Sequence, residues 1–285
     1  MQPSSKTLRH LLVACSLPAL MGAVQAAGAP PANALLVPST LDLHFPRFDQ
    51  IHDEDFLPAL RHGMAEHRKE IEAIAANPDK PTFDNTIVAM ERAGQTLDRA
   101  ETIFSNLNSA NTNPTLQDVQ RRMAPEFAAH HDEIVLDPRL FARIDALYRQ
   151  RDSLGLDAES ARLLWRYHQD FVRAGAQLPE ASKARLRALN AELATLQTTF
   201  AQNVLKERGA MAVTFDTRAE LAGLSDAEIK TAADAAAKAG KPGKFVIELV
   251  NTTGQPVLTD LASHASRLKV MAASLARGSR GGEFD

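Results

Sequence analysis

Histidine and carboxylate side chains in the first helical stretch of the sequence are of the types that bind metal ions. His62 and His67 flank Glu66 there. A zinc site of the His-Glu-x-x-His type, or of the reversed His-x-x-Glu-His type, needs two histidines four residues apart so that both rings face one ion. The spacing of five found here turns the second ring about 140° away on a helix. We therefore interpret these residues as a solvated helix face, with His67 at the edge of the core.

A second cluster, His130-His131-Asp132-Glu133, is typical of the polar end of a helix. Histidines at such an end satisfy the last carbonyl groups and the helix dipole. None of the nine histidines in the 285-residue sequence is followed by another four residues later. The sequence therefore assigns no catalytic, cofactor-binding or metal-binding residue to this chain. A metal carrier built on the surface histidines stays an alternative.

The stretch Gly240-Lys-Pro-Gly-Lys244 has the composition of a phosphate-binding loop. Two features argue against phosphate binding. No Ser or Thr follows Lys244, and the stretch joins a predicted helix to a predicted strand, whereas a phosphate loop joins strand to helix. The Gly-x-Ser-x-Gly turn of common serine hydrolases is also absent from the sequence. A turn is the prediction for this stretch.

The composition is that of a globular, helix-rich protein. Hydrophobic residues make up 45% and charged residues 24% of the chain, which excludes the disordered and fibrous classes. A formal net charge of −3 provides no basic surface for nucleic acid. The single cysteine, Cys15, excludes a disulfide framework and a cysteine-rich zinc site.

The N-terminus has the pattern of a secretory signal. Lys6 and Arg9 precede an apolar run that ends at Val24-Gln25-Ala26, which predicts a signal peptide over residues 1–26. A Pro/Ala-rich linker is predicted over residues 27–46. We therefore expect a periplasmic or secreted protein with no membrane association after signal cleavage. A lipoprotein anchored through Cys15, in Leu12-Val13-Ala14-Cys15, is the alternative.

Helical periodicity covers most of the chain after the linker. Pro58 and Pro125 fall inside two of the helical spans, so a late start or a kink is expected at each. The predicted helices span residues 53–76, 84–110, 116–131, 138–150, 158–174, 178–209, 225–240 and 258–276.

The helix predicted over residues 178–209 carries a regular apolar stripe at steps of three and four: Leu186, Leu189, Leu193, Leu196 and Phe200. Such a stripe is typical of a coiled-coil-like seam. Only a short connection separates this helix from the one over residues 158–174. The two helices are therefore predicted to form an antiparallel hairpin packed along matching stripes.

Two short strands complete the predicted fold. Residues 244–250 are rich in β-branched and apolar side chains, and residues 211–215 alternate in a way that makes them a candidate partner. The predicted fold class is therefore mostly α, a multi-helix lobe with a minor β element near 211–215 and 244–250. The predicted domains are a helical N-terminal domain over residues 47–240 and the start of a second domain over residues 241–285.

An ordered series of short motifs resembles the N-terminal region of bacterial peptidyl-dipeptidases, which belong to the thimet oligopeptidase family of zinc metallopeptidases. The series extends across the chain from Phe48 to Asp285. Its members are Phe48-Asp49-Gln50-Ile51, Phe56-Leu57-Pro58-Ala59-Leu60, Pro81-Thr-Phe-Asp-Asn-Thr86, Phe171-Val-Arg-Ala-Gly-Ala-Gln-Leu178, Phe200-Ala-Gln-Asn203, Leu221-Ala-Gly-Leu224, Asn251-Thr-Thr-Gly-Gln-Pro256 and Arg277-Gly-Ser-Arg-Gly281.

This resemblance implies a helical, two-lobed fold around a channel, with zinc held by two histidines of a His-Glu-x-x-His helix and a downstream glutamate. It also implies oligopeptide substrates, release of C-terminal dipeptides and a monomer. None of the implied zinc residues occurs in this sequence. The chain is therefore expected to be truncated before the catalytic motif, with residues 241–285 as the truncated start of the catalytic domain. It is also expected to bind no zinc and to be inactive alone.

Two other functions remain open. One is an oligopeptidase that cleaves internal bonds of short peptides, and the other is an exported, non-catalytic helical binding module. A consequence for stability also follows from the truncation. Residues from Lys244 onward are expected to lack part of their cover and to be held loosely after a folded body that ends near Gly240.

Overall fold

The computed structural model describes residues 33–250 and 252–284, which belong to one compact unit, Asn33–Asp285. The predicted signal peptide, Cys15 and the linker up to residue 32 lie outside the described residues. Residues 33–36 of the predicted linker pack on the helical body. Leu35 is buried among apolar side chains, and the Nδ2 amide of Asn33 donates to the carbonyl of Asp55 at 2.8 Å.

The fold is mostly helical with one two-stranded sheet, as predicted. The helices are α1 (Phe56–Ala75), α2 (Ala89–Arg92), α3 (Gln95–Ala110), α4 (Pro114–Val135), α5 (Pro138–Arg149), α6 (Ala158–Ala174), α7 (Glu180–Ala210), α8 (Asp226–Lys238), α9 (Val257–Asp260) and α10 (His264–Leu275). The strands are β1 (Val213–Phe215) and β2 (Phe245–Ile247).

Local sequence signals account for most helix ends. Asp157 caps α6 by accepting from the backbone N–H of Ser160 at 2.7 Å. Ser225 and Glu228 form the predicted capping box at the start of α8. Pro58 lies in the first turn of α1, after a 3-10 turn at Asp53–Asp55, so the predicted late start is confirmed. Helix α4 continues through Pro125, so the proline does not end it.

The single helix predicted over residues 84–110 is wrong, because the chain breaks it at Gly94. A π-helical turn at Asp84–Val88 and α2 precede Gly94, whose φ of +79° is the left-handed conformation that glycine tolerates. The break lets α3 lie against α1. A Cβ at Gly63 on α1 would lie 2.7 Å from the Cα of Leu97, so the two helices approach almost backbone to backbone there.

Two apolar clusters form the core of the helical part. One joins α1, α3 and the first half of α4 around Phe56, Leu60 and Met123. The other joins the end of α1 to α5 and α6 around Ile144, Leu164 and Phe171. The pairing of α5 with α6 follows from this second cluster, because their buried stripes face each other.

The predicted hairpin between the helices at 158–174 and 178–209 is wrong. Helix α7 lies along α4, and α6 packs on α5. Near the connection, Leu186 packs on the cluster that contains Phe171, and its side chain lies beside Gly175. From Leu189 onward the stripe faces away from the core. A seam with coiled-coil spacing is therefore present, but α6 does not cover it.

The predicted strand pairing is confirmed, and the expectation of a loosely held tail is not. β1 and β2 pair antiparallel with Val213 opposite Ile247 and Phe215 opposite Phe245. Behind them lies a third apolar cluster that combines residues on both sides of Gly240. Its buried members are Met211, Val213, Phe215, Leu221, Leu224, Ile229, Ala232, Ile247, Leu249, Leu261 and Val270. The predicted last helix is divided into α9 and α10 by an extended turn at Leu261.

Candidate functional site

Helix α7 buries polar side chains where it meets the rest of the molecule. Lys183 is 2% exposed, and its Nζ donates to the carbonyl of Leu136 at 3.0 Å. Asn190 donates from Nδ2 to Oδ1 of the buried Asp132 at 2.8 Å. Gln202 is also buried, and its Nε2 donates to the carbonyl of Gln117 at 2.9 Å. These hydrogen bonds therefore hold α7 against α4.

The opposite face of α7 is apolar and exposed. Leu189, Leu193, Leu196 and Phe200 are 42%, 52%, 58% and 71% exposed, and their spacing puts them on one side of the helix. We call these four residues the α7 apolar row. This arrangement is the inverse of an ordinary surface helix, which buries its apolar stripe. Adjacent exposed apolar side chains of this kind mark an interaction surface.

A groove of about 540 Å³ runs beside the row, between α4, the end of α6 and α7. Phe127, Leu186 and Leu193 contribute apolar walls, and His131 and Arg173 contribute polar groups. The sequence interpretation placed His131 at a polar helix end. Helix α4 in fact extends to Val135, so His131 points from its last turns into this groove.

The structure brings together two histidines that are 63 residues apart in sequence. Nε2 of His130 lies 3.1 Å from Nδ1 of His67, so one ring donates a hydrogen bond to the other. Gly94 packs against the His67 ring, where a Cβ would lie 3.1 Å from ring atoms. His130 is therefore buried between helices, which corrects its interpretation as a residue that satisfies helix-end carbonyls.

Burial, together with the neighbouring His67 and Arg68, lowers the pKa of His130 to about 4. Burial also lowers the pKa of His67, against the opposing effect of Glu70. Both rings are therefore neutral at pH 7. No partner among the described residues binds Nδ1 of His130. The pair is a neutral, pH-sensitive contact between α1 and α4.

Of the other histidine and carboxylate candidates, Asp132 is buried and accepts from Asn190, whereas His62 and Glu133 lie on the surface. His62 contacts Glu66 at 3.1 Å one turn along α1, and both side chains are exposed, as the sequence predicts. Glu133 pairs with Arg68 at 2.6 Å. Within residues 33–250 and 252–284, no three His, Cys, Asp or Glu side chains are placed to hold a metal ion. His67 and His130 are bonded to each other and no third side chain is placed with them to hold an ion, so the described residues do not fit a catalytic zinc.

The stretch at 240–244 is a turn, as predicted. Gly240 and Gly243 have φ angles of +71° and +83°. Lys241 donates to Oγ1 of Thr214 at 3.0 Å, and Lys244 pairs with Asp216 at 2.9 Å. Both lysines therefore attach the turn to the chain near β1.

Residues near the end of the described chain are attached to α7. Glu207 is 4% exposed, and its carboxylate accepts from the backbone N–H of Gly278 at 2.7 Å. Arg280 approaches the same carboxylate at 3.5 Å. The sequence offered no signal for this contact, because 71 residues separate Glu207 from Gly278.

These features are an exposed apolar row on α7, a groove beside it and a buried histidine pair between α1 and α4. The residues that sequence reasoning could find are those of the stripe, whose periodicity is plain. The polar side of α7 and the His67–His130 contact were missed, since each depends on a distant partner. In the part of the chain that the structure describes, no helix has the length and apolar character needed to cross a membrane.

Comparison with known proteins identifies relatives that are peptidases. No protein-family model matches the sequence. The dipeptidyl carboxypeptidase of Escherichia coli (strain K12) is 43% identical over 248 residues, which cover 87% of this chain and 36% of that protein. The dipeptidyl carboxypeptidase of Salmonella typhimurium is 44% identical over 253 residues, which cover 89% of this chain and 37% of that protein. Oligopeptidase A of Haemophilus influenzae is 25% identical over 238 residues, 83% of this chain and 34% of that protein.

The chain thus spans little more than a third of the length of the curated relatives it matches. Within this chain, by contrast, the similarity covers most of the residues. The ordered motifs and the helical fold agree with it. The resemblance predicted from the sequence is therefore confirmed, and the chain is related to one part of the peptidases of the thimet oligopeptidase family.

Proposed function

We propose that this chain is the N-terminal portion of an exported zinc metallopeptidase that removes C-terminal dipeptides from oligopeptides. The observation that carries the proposal is the difference in similarity between the two kinds of relative. Identity is 43–44% to the dipeptidyl carboxypeptidases and 22–25% to the oligopeptidases over similar lengths of this chain. The dipeptide-releasing activity is therefore favoured over cleavage of internal bonds.

The chain alone is proposed to be inactive and free of bound zinc. Catalytic zinc needs three protein ligands of fixed geometry and an open position for water. The support is the donor set described above, in which the histidines are spaced too far apart in sequence or bonded to each other. The zinc ligands and the general base would come from the rest of the enzyme, and this chain would contribute fixed walls for the peptide.

A chimera tests the proposed activity. The matching region of the Escherichia coli dipeptidyl carboxypeptidase is replaced by the matching residues of this chain, and blocked peptides are digested in the presence of zinc. We expect C-terminal dipeptides among the products by mass spectrometry. Products cut at internal bonds would support the oligopeptidase alternative. A folded chimera that cleaves nothing would contradict the proposal and favour the binding module.

The full chain without the rest of the enzyme is the matched comparison. After dialysis against zinc and removal of the free ion, we expect substoichiometric metal by elemental analysis and no dipeptide release. One tightly bound zinc per chain would show that a site was missed. The N-terminal residue of protein recovered from the periplasm or medium tests export, since cleavage is proposed after Ala26. A lipid on Cys15 would support the anchored alternative.

A further inference from the structure

The α7 apolar row is 42–71% exposed among the described residues, although the other side of the same helix is held by hydrogen bonds. Lys183, Asn190 and Gln202 use their hydrogen bonds on α4 and its flanking turn. The leucines on the other side of the helix add little hydrophobic stabilisation to the chain, because they are exposed to water. The row therefore has the character of an interface whose second half is another polypeptide.

The last described residues lie beside one end of the row. Glu207 lies seven residues after Phe200 and eleven after Leu196, so it is on the same side of α7. Its carboxylate holds Gly278 and Arg280 there. The stretch of residues 278–284 is thus attached at the C-terminal end of the row, beside Phe284 and a small cleft.

The length of the relatives indicates which polypeptide covers the row. This chain spans 36–37% of the two dipeptidyl carboxypeptidases, so nearly two thirds of each relative has no counterpart in it. Polypeptide attached beside Glu207 is well placed to cover Phe200 first and then the leucines toward Leu189. A second copy of the chain would lack this attachment.

We propose that the α7 apolar row is the docking surface for the portion of the peptidase that this chain does not span. The inference rests on the proposed function and deepens it by naming the contact between the two portions. Leu193, Leu196 and Phe200 form the centre of that contact. The polar side of α7 stays on α4 in both the free and the docked state, so docking requires no rearrangement of the helix.

Hydroxyl-radical footprinting tests the contact without any substitution. The oxidation rates of leucine and phenylalanine side chains are compared between the full chain alone and the chimera described above. We expect oxidation of Leu193, Leu196 and Phe200 to fall by roughly fivefold or more in the chimera, as for side chains at the core of an interface. Leu43, which is also exposed and precedes α1, is the control and should be unchanged.

Substitutions provide a second measurement. The double variant Leu193→Gln and Leu196→Gln should leave the chain alone folded, since both side chains are exposed there. The remainder of the Escherichia coli enzyme, purified separately, is then titrated with the wild-type or variant chain. We expect the double variant to bind at least about tenfold more weakly, and the control variant Leu43→Gln to bind as the wild type does.

Three results would overturn the proposal. One is equal oxidation of the row in the chain and in a folded chimera. Another is loss of binding with Leu43→Gln to the same extent as with the double variant. The third is protection of the row in the chain alone together with a dimer in ultracentrifugation, which would make a second copy the occupant. If the buried Leu164 is oxidised in the chimera, the fusion is misfolded and the titration alone decides.

The outcome is separable from that of the proposed function. A protected row in a chimera that releases no dipeptides supports the docking surface and contradicts the activity. An active chimera with an unprotected row supports the activity and contradicts the docking surface.

Discussion

At the scale of single residues, burial changes the protonation and the role of side chains whose type alone suggests metal binding. His67 and His130 belong to residue types that bind metals, but the structure places them against each other between α1 and α4. Burial makes protonation of His130 unfavourable, so this histidine supports the fold only in its neutral form. Its role is therefore structural, and the direction of its pH dependence follows.

The free energy of unfolding should fall as the pH drops from the ordinary histidine pKa of 6.5 toward about 4, the value for His130 in the fold. Over this range the unfolded chain binds a proton that the folded chain does not, so acid favours unfolding. We expect a loss of roughly 2 kcal/mol between pH 8 and pH 5 from His130 alone. Urea denaturation at the two pH values measures it.

The matched pair His130→Gln and His131→Gln separates this effect from other titrations. His131 is the next residue on α4 and is exposed. The His130 variant should lose that part of the pH dependence, and the His131 variant should keep it. An equal pH dependence of the free energy of unfolding in the two variants would contradict the assignment to His130.

At the scale of elements, close backbone approaches decide where helices begin and how they meet. The turn at Ala222-Gly223-Leu224 leads into α8, and the carbonyl of Ala222 accepts from the N–H of Ala262 at 2.7 Å. Gly223 has a φ of +101°, and a Cβ there would lie 1.9 Å from the carbonyl oxygen of Asp260. The end of α9 can therefore approach this turn only because residue 223 has no side chain.

The Gly223→Ala substitution should destabilise the protein by about 2–4 kcal/mol, because it combines backbone strain with a forced separation of the two segments. Gly254→Ala is the matched control from the same part of the chain. A Cβ at Gly254 meets no atom within 4 Å. Thermal denaturation of both variants measures the difference, and similar melting temperatures would show that the 222–224 turn can move away at little cost.

At the scale of the whole described unit, three apolar clusters hold the chain, and the third stabilises its last part. Leu249, Leu261 and Val270 are buried together with Phe215 and Leu221. The pairing of β1 with β2 adds backbone hydrogen bonds between segments on both sides of α8. The assignment of residues 241–285 to the start of a second domain stays a prediction, but these residues share a core with residues 211–232.

Hydrogen exchange on the full chain tests this packing. We expect slow exchange at the amides of β2 and in the central turns of α10, because their side chains lie in a common buried cluster. Residues 252–254, which are exposed, supply the reference for fast exchange. Exchange in β2 and α10 at the reference rate would restore the expectation of a loosely held tail.

The elements of this fold were accessible from the sequence because their signals are local. The capping of α6 by Asp157, the capping box of Ser225 with Glu228, and the alternation of residues 211–215 each involve a few neighbouring residues. The break at Gly94 escaped, since the apolar periodicity continues on both sides of it and a glycine inside a helical pattern does not by itself end the helix. The turn at Leu261 that divides α9 from α10 also escaped.

The partner of each element was not accessible in the same way. The spacing from Leu186 to Phe200 defines a stripe, and a stripe has the same period whether α6, another part of an enzyme or water lies against it. What placed α7 on α4 is a set of polar contacts between residues 47 to 85 positions apart, such as Lys183 with Leu136 and Gln202 with Gln117. Contacts of that separation depend on the folded geometry of both segments, so they follow from the tertiary structure and not from local pattern.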